Sequence, residues 1–201
     1  MKRLLKEIIQ TVVIIAALNF PAAAEVSKKA SVFLLNDHVG SIDGELNDKT
    51  VQDVEQLWKE KKFKILTITS PGGDFDAGIK MGNFVRDNGI NLIVSRYCNS
   101  ACTVVFFSVS PEKRYMTNQS VLGLHNISIK SNVRDRDNTF VSVRQLSTFT
   151  EEMATKVGFL FTLYSANGIP PSVLYRVSRA RGEDVVILTK KDLIHYGSVN
   201  P

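Results

Sequence analysis

Apolar residues along this chain recur in two rhythms that take turns. Short apolar or alternating runs predict strands at Ser31–Leu35, Phe63–Thr69, Asn91–Arg96, Tyr115–Met116, Val121–Leu124 and Val185–Leu188. Between them lie stretches with apolar residues three and four apart, the spacing of one helix face. Thr50–Lys61 carries Val51, Val54, Leu57 and Trp58 in that spacing. Helices are also predicted over Asp76–Asn88 (closed by Gly89), Ala101–Phe107, Ser142–Ala166, Pro171–Arg179 and Lys190–Tyr196. In the longest of these, Val143, Leu146, Phe149, Met153, Val157 and Phe161 form a stripe expected to face the core. Ser128–Thr139 is mostly polar and reads as a loop or exposed hairpin, with Arg134-Asp135-Arg136-Asp137 a solvated run of alternating sign. Repeated β-α units predict the α/β class, a largely parallel sheet wrapped by helices.

The first residues break this alternation. Lys2, Arg3 and Lys6 precede an apolar stretch, Ile8–Leu18, interrupted only by Gln10 and Thr11. Pro21 then leads into Ala22-Ala23-Ala24, the small-residue pattern at which a signal peptidase cuts. The stretch is short of the ~20 residues a membrane-spanning helix needs. Residues 1–24 are therefore expected to be a cleaved signal peptide, an uncleaved anchor being the alternative, with 25–201 forming one domain. The expected location is periplasmic or secreted, away from ATP and coenzyme A. Of the formal charge of +5, the leader accounts for two; 22 basic residues then face 19 acidic ones, +3 over the remaining 177 residues. So small a bias does not indicate a nucleic-acid partner. With 44% hydrophobic and 22% charged residues, wholesale disorder and a multi-spanning membrane protein are excluded as well.

Three features carry candidate chemistry, each predicted at the carboxyl end of a strand, where α/β sheets expose functional groups. Ser70-Pro71-Gly72-Gly73 follows one strand, and its glycines leave backbone N–H groups unhindered for an oxyanion or phosphate. The plainer reading is a tight turn. Cys98-Asn99-Ser100-Ala101-Cys102 places Ser100 at the start of a helix, beside free N–H groups and the positive dipole end; the plainer reading is a helix cap. His125 ends the strand Val121–Leu124, and a lone histidine there is more often structural. The two cysteines, four residues apart, lie within the Cα separation a disulfide tolerates, since four residues of helix rise ~6 Å. A Cys98–Cys102 disulfide bracing the turn of Ser100 is favoured over free thiols, a redox pair or a metal site. His38, His125 and His195 lack metal-ligand spacing.

Taken in order, the Gly-Gly turn, the helix-opening serine and a histidine 25 residues later resemble the Clp-type proteolytic subunit family. That family belongs to a wider group with signal peptide peptidase A and the crotonases. The resemblance runs from about Val32 to Val199, includes the basic pair Lys113-Arg114, and ends on Tyr196-Gly197-Ser198-Val199, similar to the family's closing Tyr-Gly segment. It implies the stacked β-α units of the ClpP/crotonase fold. It also implies Ser100 as nucleophile, His125 as general base, and the N–H groups of Gly73 (or Gly72) and Ala101 as an oxyanion hole. A peptide or protein substrate, no cofactor, and a homo-oligomer are implied in the same way.

The resemblance departs at the third triad member. Leu174–Arg181 contains no carboxylate, and gapless alignment from Tyr196-Gly197 sets the family's aspartate on Val185. The candidates are Asp184 with the loop shifted by one, a polar stand-in such as Ser178, a Ser/His dyad, or a site without activity. Glu183 and Asp184 also read as a charged, solvated turn. The expected function is accordingly an exported serine hydrolase, a peptidase. A non-catalytic binding or assembly module is its rival, and a crotonase-type acyl-CoA enzyme is disfavoured by export.

Overall fold

A parallel strand buried on both faces needs apolar residues at successive positions, and the centre of this sheet is built that way. In the computed structural model, which describes residues 30–127, 142–180 and 184–199, the described strands form one seven-stranded sheet. They are β1 (Ser31–Asn36), β2 (Val39–Asp43), β3 (Ile65–Ser70), β4 (Asn91–Asn99), β5 (Arg114–Met116), β6 (Val121–Leu124) and β7 (Val186–Thr189). The order is β1-β2-β3-β4-β6-β7, with β5 also paired to β4. All pairings are parallel except β1 with β2 and β6 with β7, which close the two edges antiparallel. The predicted α/β class with a largely parallel sheet is the fold observed. The leader, the polar run at 128–139 and Glu183 lie outside the described residues.

Six helices are described: α1 (Asp48–Lys61), α2 (Phe75–Asp87), α3 (Ala101–Ser108), α4 (Val143–Ala166), α5 (Pro171–Arg179) and α6 (Lys190–His195). Their starts are written in side chains. Asn47 caps α1 by accepting the Thr50 N–H at 2.9 Å, and Asp74 caps α2 by accepting that of Ala77 at 2.7 Å. Ser142 with Gln145, and Thr189 with Asp192, form capping boxes on α4 and α6. Helix α3 differs from the others because it is buried all round, from Ala101 to Phe107, and so has no polar face to orient it.

Two expectations are corrected here. Strand β2 is missing from the sequence reading because Val-Gly-Ser-Ile-Asp carries little apolar signal of its own. Its neighbours supply the packing: the Phe63 ring fills the space beside Gly40, and the Ser41 hydroxyl accepts from Thr67 Oγ1 at 3.0 Å. The stripe on α4 is not core at its start. Val143 is 85% exposed, Leu146 58% and Phe149 42%, while Met153, Val157 and Phe161 are half-buried. The buried contacts of α4 are Leu160 and Tyr164, near its other end. Helical spacing reports that an apolar face exists, not what covers it.

Lys113-Arg114 divides in the same way, with Lys113 exposed and Arg114 fully buried. The guanidinium holds neutral acceptors: Ser198 O at 2.6 Å, Val109 O at 3.0 Å, Phe107 O at 3.4 Å and Asn167 Oδ1 at 2.6 Å. Burial pulls its pKa down to about 10, with the nearby Glu112 carboxylate opposing the shift. Arg114 thereby joins the end of α3, the end of α4 and the closing segment.

Candidate active site

Ser100 sits between β4 and α3 with φ 54° and ψ −128°, a left-handed conformation that costs a side-chain-bearing residue of the order of 1–3 kcal/mol. Its side chain makes no capping hydrogen bond. The helix-cap reading of this serine is therefore set aside. Several bonds hold the strained residue. Its N–H donates to Gly123 O on β6 at 2.9 Å, and its carbonyl accepts both the Thr103 N–H at 2.8 Å and the Thr103 hydroxyl at 2.6 Å. Thr103 Oγ1 has only one proton, so at the 2.6 Å contact with the buried Tyr164 hydroxyl it is Tyr164 that donates. Burial raises the Tyr164 pKa, which keeps that donor protonated.

The disulfide is present. Cys98 and Cys102 are bonded, both fully buried, with Cα atoms 5.2 Å apart. It does not span one helical turn as the spacing argument assumed. Cys98 lies in β4 and Cys102 in α3, so the bond ties strand to helix across Ser100.

The Gly-Gly turn lies directly against this junction. At Gly72 (φ 102°) a β-carbon would stand 2.6 Å from Ser100 Cβ and 2.7 Å from Asn99 O, and at Gly73 (φ 138°) it would overlap the Leu46 carbonyl. Close approach of two backbones requires glycine at both positions. The Gly72 N–H is engaged, donating to Ser70 Oγ at 3.1 Å. Among the described residues, the N–H groups of Gly73 and Ala101 have no hydrogen-bond partner.

His125 is half-buried just beyond β6. Register pairs Asn99 with Gly123, so Ser100 stands level with Leu124, one residue short of His125, on strands about 4.8 Å apart. Alternation puts Cys98 and Leu122 on the face covered by α3, and Asn99, Gly123 and His125 on the other. On that second face Ile187, paired with Gly123, is 47% exposed. The Asn99 carboxamide fills the space above Gly123, and its Oδ1 is buried without a partner among the described residues. The His125 ring makes no direct hydrogen bond to Ser100; its Nδ1 lies 2.5 Å from the carbonyl oxygen of Asn126. Asp184 is exposed ahead of β7, and no described hydrogen bond or ion pair joins it to His125. Ser178 Oγ donates to Tyr175 O at 2.7 Å within its own helix. No group of three His, Cys, Asp or Glu side chains is gathered as a metal site among the described residues.

This arrangement of sheet, buried helix and glycine turn has a counterpart among solved structures. A single-residue variant of ClpP1 from Listeria monocytogenes superposes with a TM-score of 0.60, covering 82% of this chain and 90% of its own, at 17% identity. The fold is ClpP-like. No protein-family model matches the chain, and no curated protein matches it in sequence. Thr103, Tyr164, Asn99 and Asn126 make contacts around Ser100 and His125 that sequence reasoning did not single out. Tyr164 is 61 residues from Thr103 and carries no motif. Asn126 was detectable only as a polar residue next to the histidine.

Proposed function

We propose that this protein is an exported serine hydrolase of peptidase type, with Ser100 as nucleophile and His125 as general base. The observation that carries the reading is the strained, uncapped Ser100 at the start of a fully buried helix, beside two unengaged N–H groups. A serine needed only as a cap or a turn residue would not be held at positive φ with its hydroxyl unused. In the reaction His125 Nε2 takes the hydroxyl proton as Ser100 Oγ attacks a peptide carbonyl. The Gly73 and Ala101 N–H groups receive the developing oxyanion, while Gly72 fits closely enough to bring the turn against Ser100. His125 then returns the proton to the leaving amine, and water hydrolyses the acyl-enzyme by the same route in reverse.

The likeness to a ClpP1 supports the fold on which such chemistry is built, and the buried disulfide agrees with an oxidising compartment. The uncovered stripe of Val143, Leu146 and Phe149 agrees with self-association. No helix among the described residues is long and apolar enough to cross a membrane. The deciding experiment is labelling of the purified protein with a fluorophosphonate, beside Ser100→Ala and His125→Ala. Labelling that is absent from Ser100→Ala and much slowed in His125→Ala supports the reading.

A second reading, a non-catalytic binding module on the same fold, rests on the lack of any carboxylate hydrogen-bonded to His125 among the described residues. Failure of the folded wild-type protein to label would establish it over the first.

A further inference from the structure

We propose that the backbone carbonyl of Asn126 orients His125, standing where a Ser-His-acid triad has its carboxylate. Asn126 is then a positioning residue of the site. A carbonyl oxygen has no proton to give, so the 2.5 Å contact with Nδ1 requires that Nδ1 carry the proton. The neutral ring is thereby fixed in the tautomer with a bare Nε2, the state a general base needs, because the bond made by one ring nitrogen decides the protonation of the other.

The carbonyl is itself held in place. The Asn126 N–H donates to Ala180 O at 3.2 Å, its Nδ2 donates to Ser178 O at 3.3 Å, and its Oδ1 accepts the Ile127 N–H at 2.8 Å. Ser178 and Ala180 belong to Leu174–Arg181, the segment without a carboxylate. That segment supplies main-chain carbonyls in place of a side-chain acid, and Asn126 relays their position to the histidine. The substitution keeps the tautomer and gives up the full negative charge that would stabilise the imidazolium. The expected enzyme is a correctly oriented but slow one.

The catalytic meaning of this contact rests on the Ser100/His125 reading, but the contact can be measured without turnover. Nitrogen-15 NMR of the histidine rings in the whole protein, assigned with His125→Gln, should show Nδ1 protonated and Nε2 bare for neutral His125. The same tautomer should persist in Ser100→Ala, since its acceptor is Asn126. Asn126→Ala keeps the carbonyl but loses both side-chain anchors. Its tautomer preference should fall toward an even mixture and fluorophosphonate labelling should slow about tenfold, the rate equivalent of ~1.4 kcal/mol. A wild-type His125 protonated on Nε2 overturns the proposal, whatever the variants do. Loss of labelling with the Nδ1-protonated ring intact removes the hydrolase reading instead and leaves the orienting contact standing.

Discussion

A methyl group at position 72 probes the approach of the glycine turn to Ser100. Alanine there keeps φ near 102°, outside the ordinary regions for an L-residue, at a cost of about 1–2 kcal/mol. Its β-carbon also enters space 2.6 Å from Ser100 Cβ, 2.7 Å from Asn99 O and 3.0 Å from the Ala101 nitrogen. These neighbours belong to backbone or to a strained residue, so relief requires moving the strand–helix junction, and overpacking of this kind costs roughly 1–3 kcal/mol. Together the two effects come to about 3 kcal/mol, a fall in Tm of roughly 6–12 °C for a domain of this size. Gly197 separates them, being left-handed at φ 69° with nothing within 4 Å of an added β-carbon. Gly197→Ala should lose the backbone contribution alone. Thermal unfolding by circular dichroism gives both values, and fluorophosphonate labelling should vanish only in Gly72→Ala. Equal losses in the two variants, with labelling retained at position 72, would refute the close-packed geometry.

Gly158→Ala tests the opposite sign. This exposed glycine lies inside α4 with open space around its Cα, so the helix should gain about 1 kcal/mol and Tm should rise by roughly 2–4 °C in a melting curve. Replacing Cys98 and Cys102 together by alanine opens a very small loop, worth about 2 kcal/mol by chain entropy. Denaturant unfolding should show that loss and labelling should slow, while thiol titration of denatured, unreduced wild type should find no free cysteine. Tyr164→Phe deletes the donor to Thr103 and should cost about 1–2 kcal/mol. In wild type this phenol should resist alkaline titration until the protein unfolds, which ultraviolet absorbance near 295 nm will follow.

Legibility in the sequence was uneven for physical reasons. Strands β3, β4 and β6 were readable because central parallel strands are apolar along their length, whereas β2 borrows its packing from Phe63 and Thr67. Helix α5 was readable to the residue because Pro171 sets its start and its apolar face is narrow. The order of Gly72, Ser100 and His125 was visible, since each follows a strand. What was not visible depends on contacts between distant residues: the hydroxyl chain from Tyr164 to Ser100, the anchoring of Asn126 by Ser178 and Ala180, and the depth of Arg114. The cysteine pair was read correctly from an incorrect geometry, because spacing alone does not distinguish a helical turn from a strand-to-helix turn.

Arg114 also makes the serine's helix depend on segments far along the chain. Helix α3, which follows Ser100, ends near the Phe107 and Val109 carbonyls; Arg114 holds both together with Ser198 O and Asn167 Oδ1, and Asn167 Nδ2 donates to Phe107 O as well. A chain shortened ahead of Ser198 leaves that buried cation short of an acceptor, which strongly destabilises whatever is packed around it. The frame around the serine's helix therefore depends on residues 53 and 84 positions beyond Arg114. A cut just before Ser198 is therefore expected to loosen the strand–helix junction at Ser100, far from it in sequence.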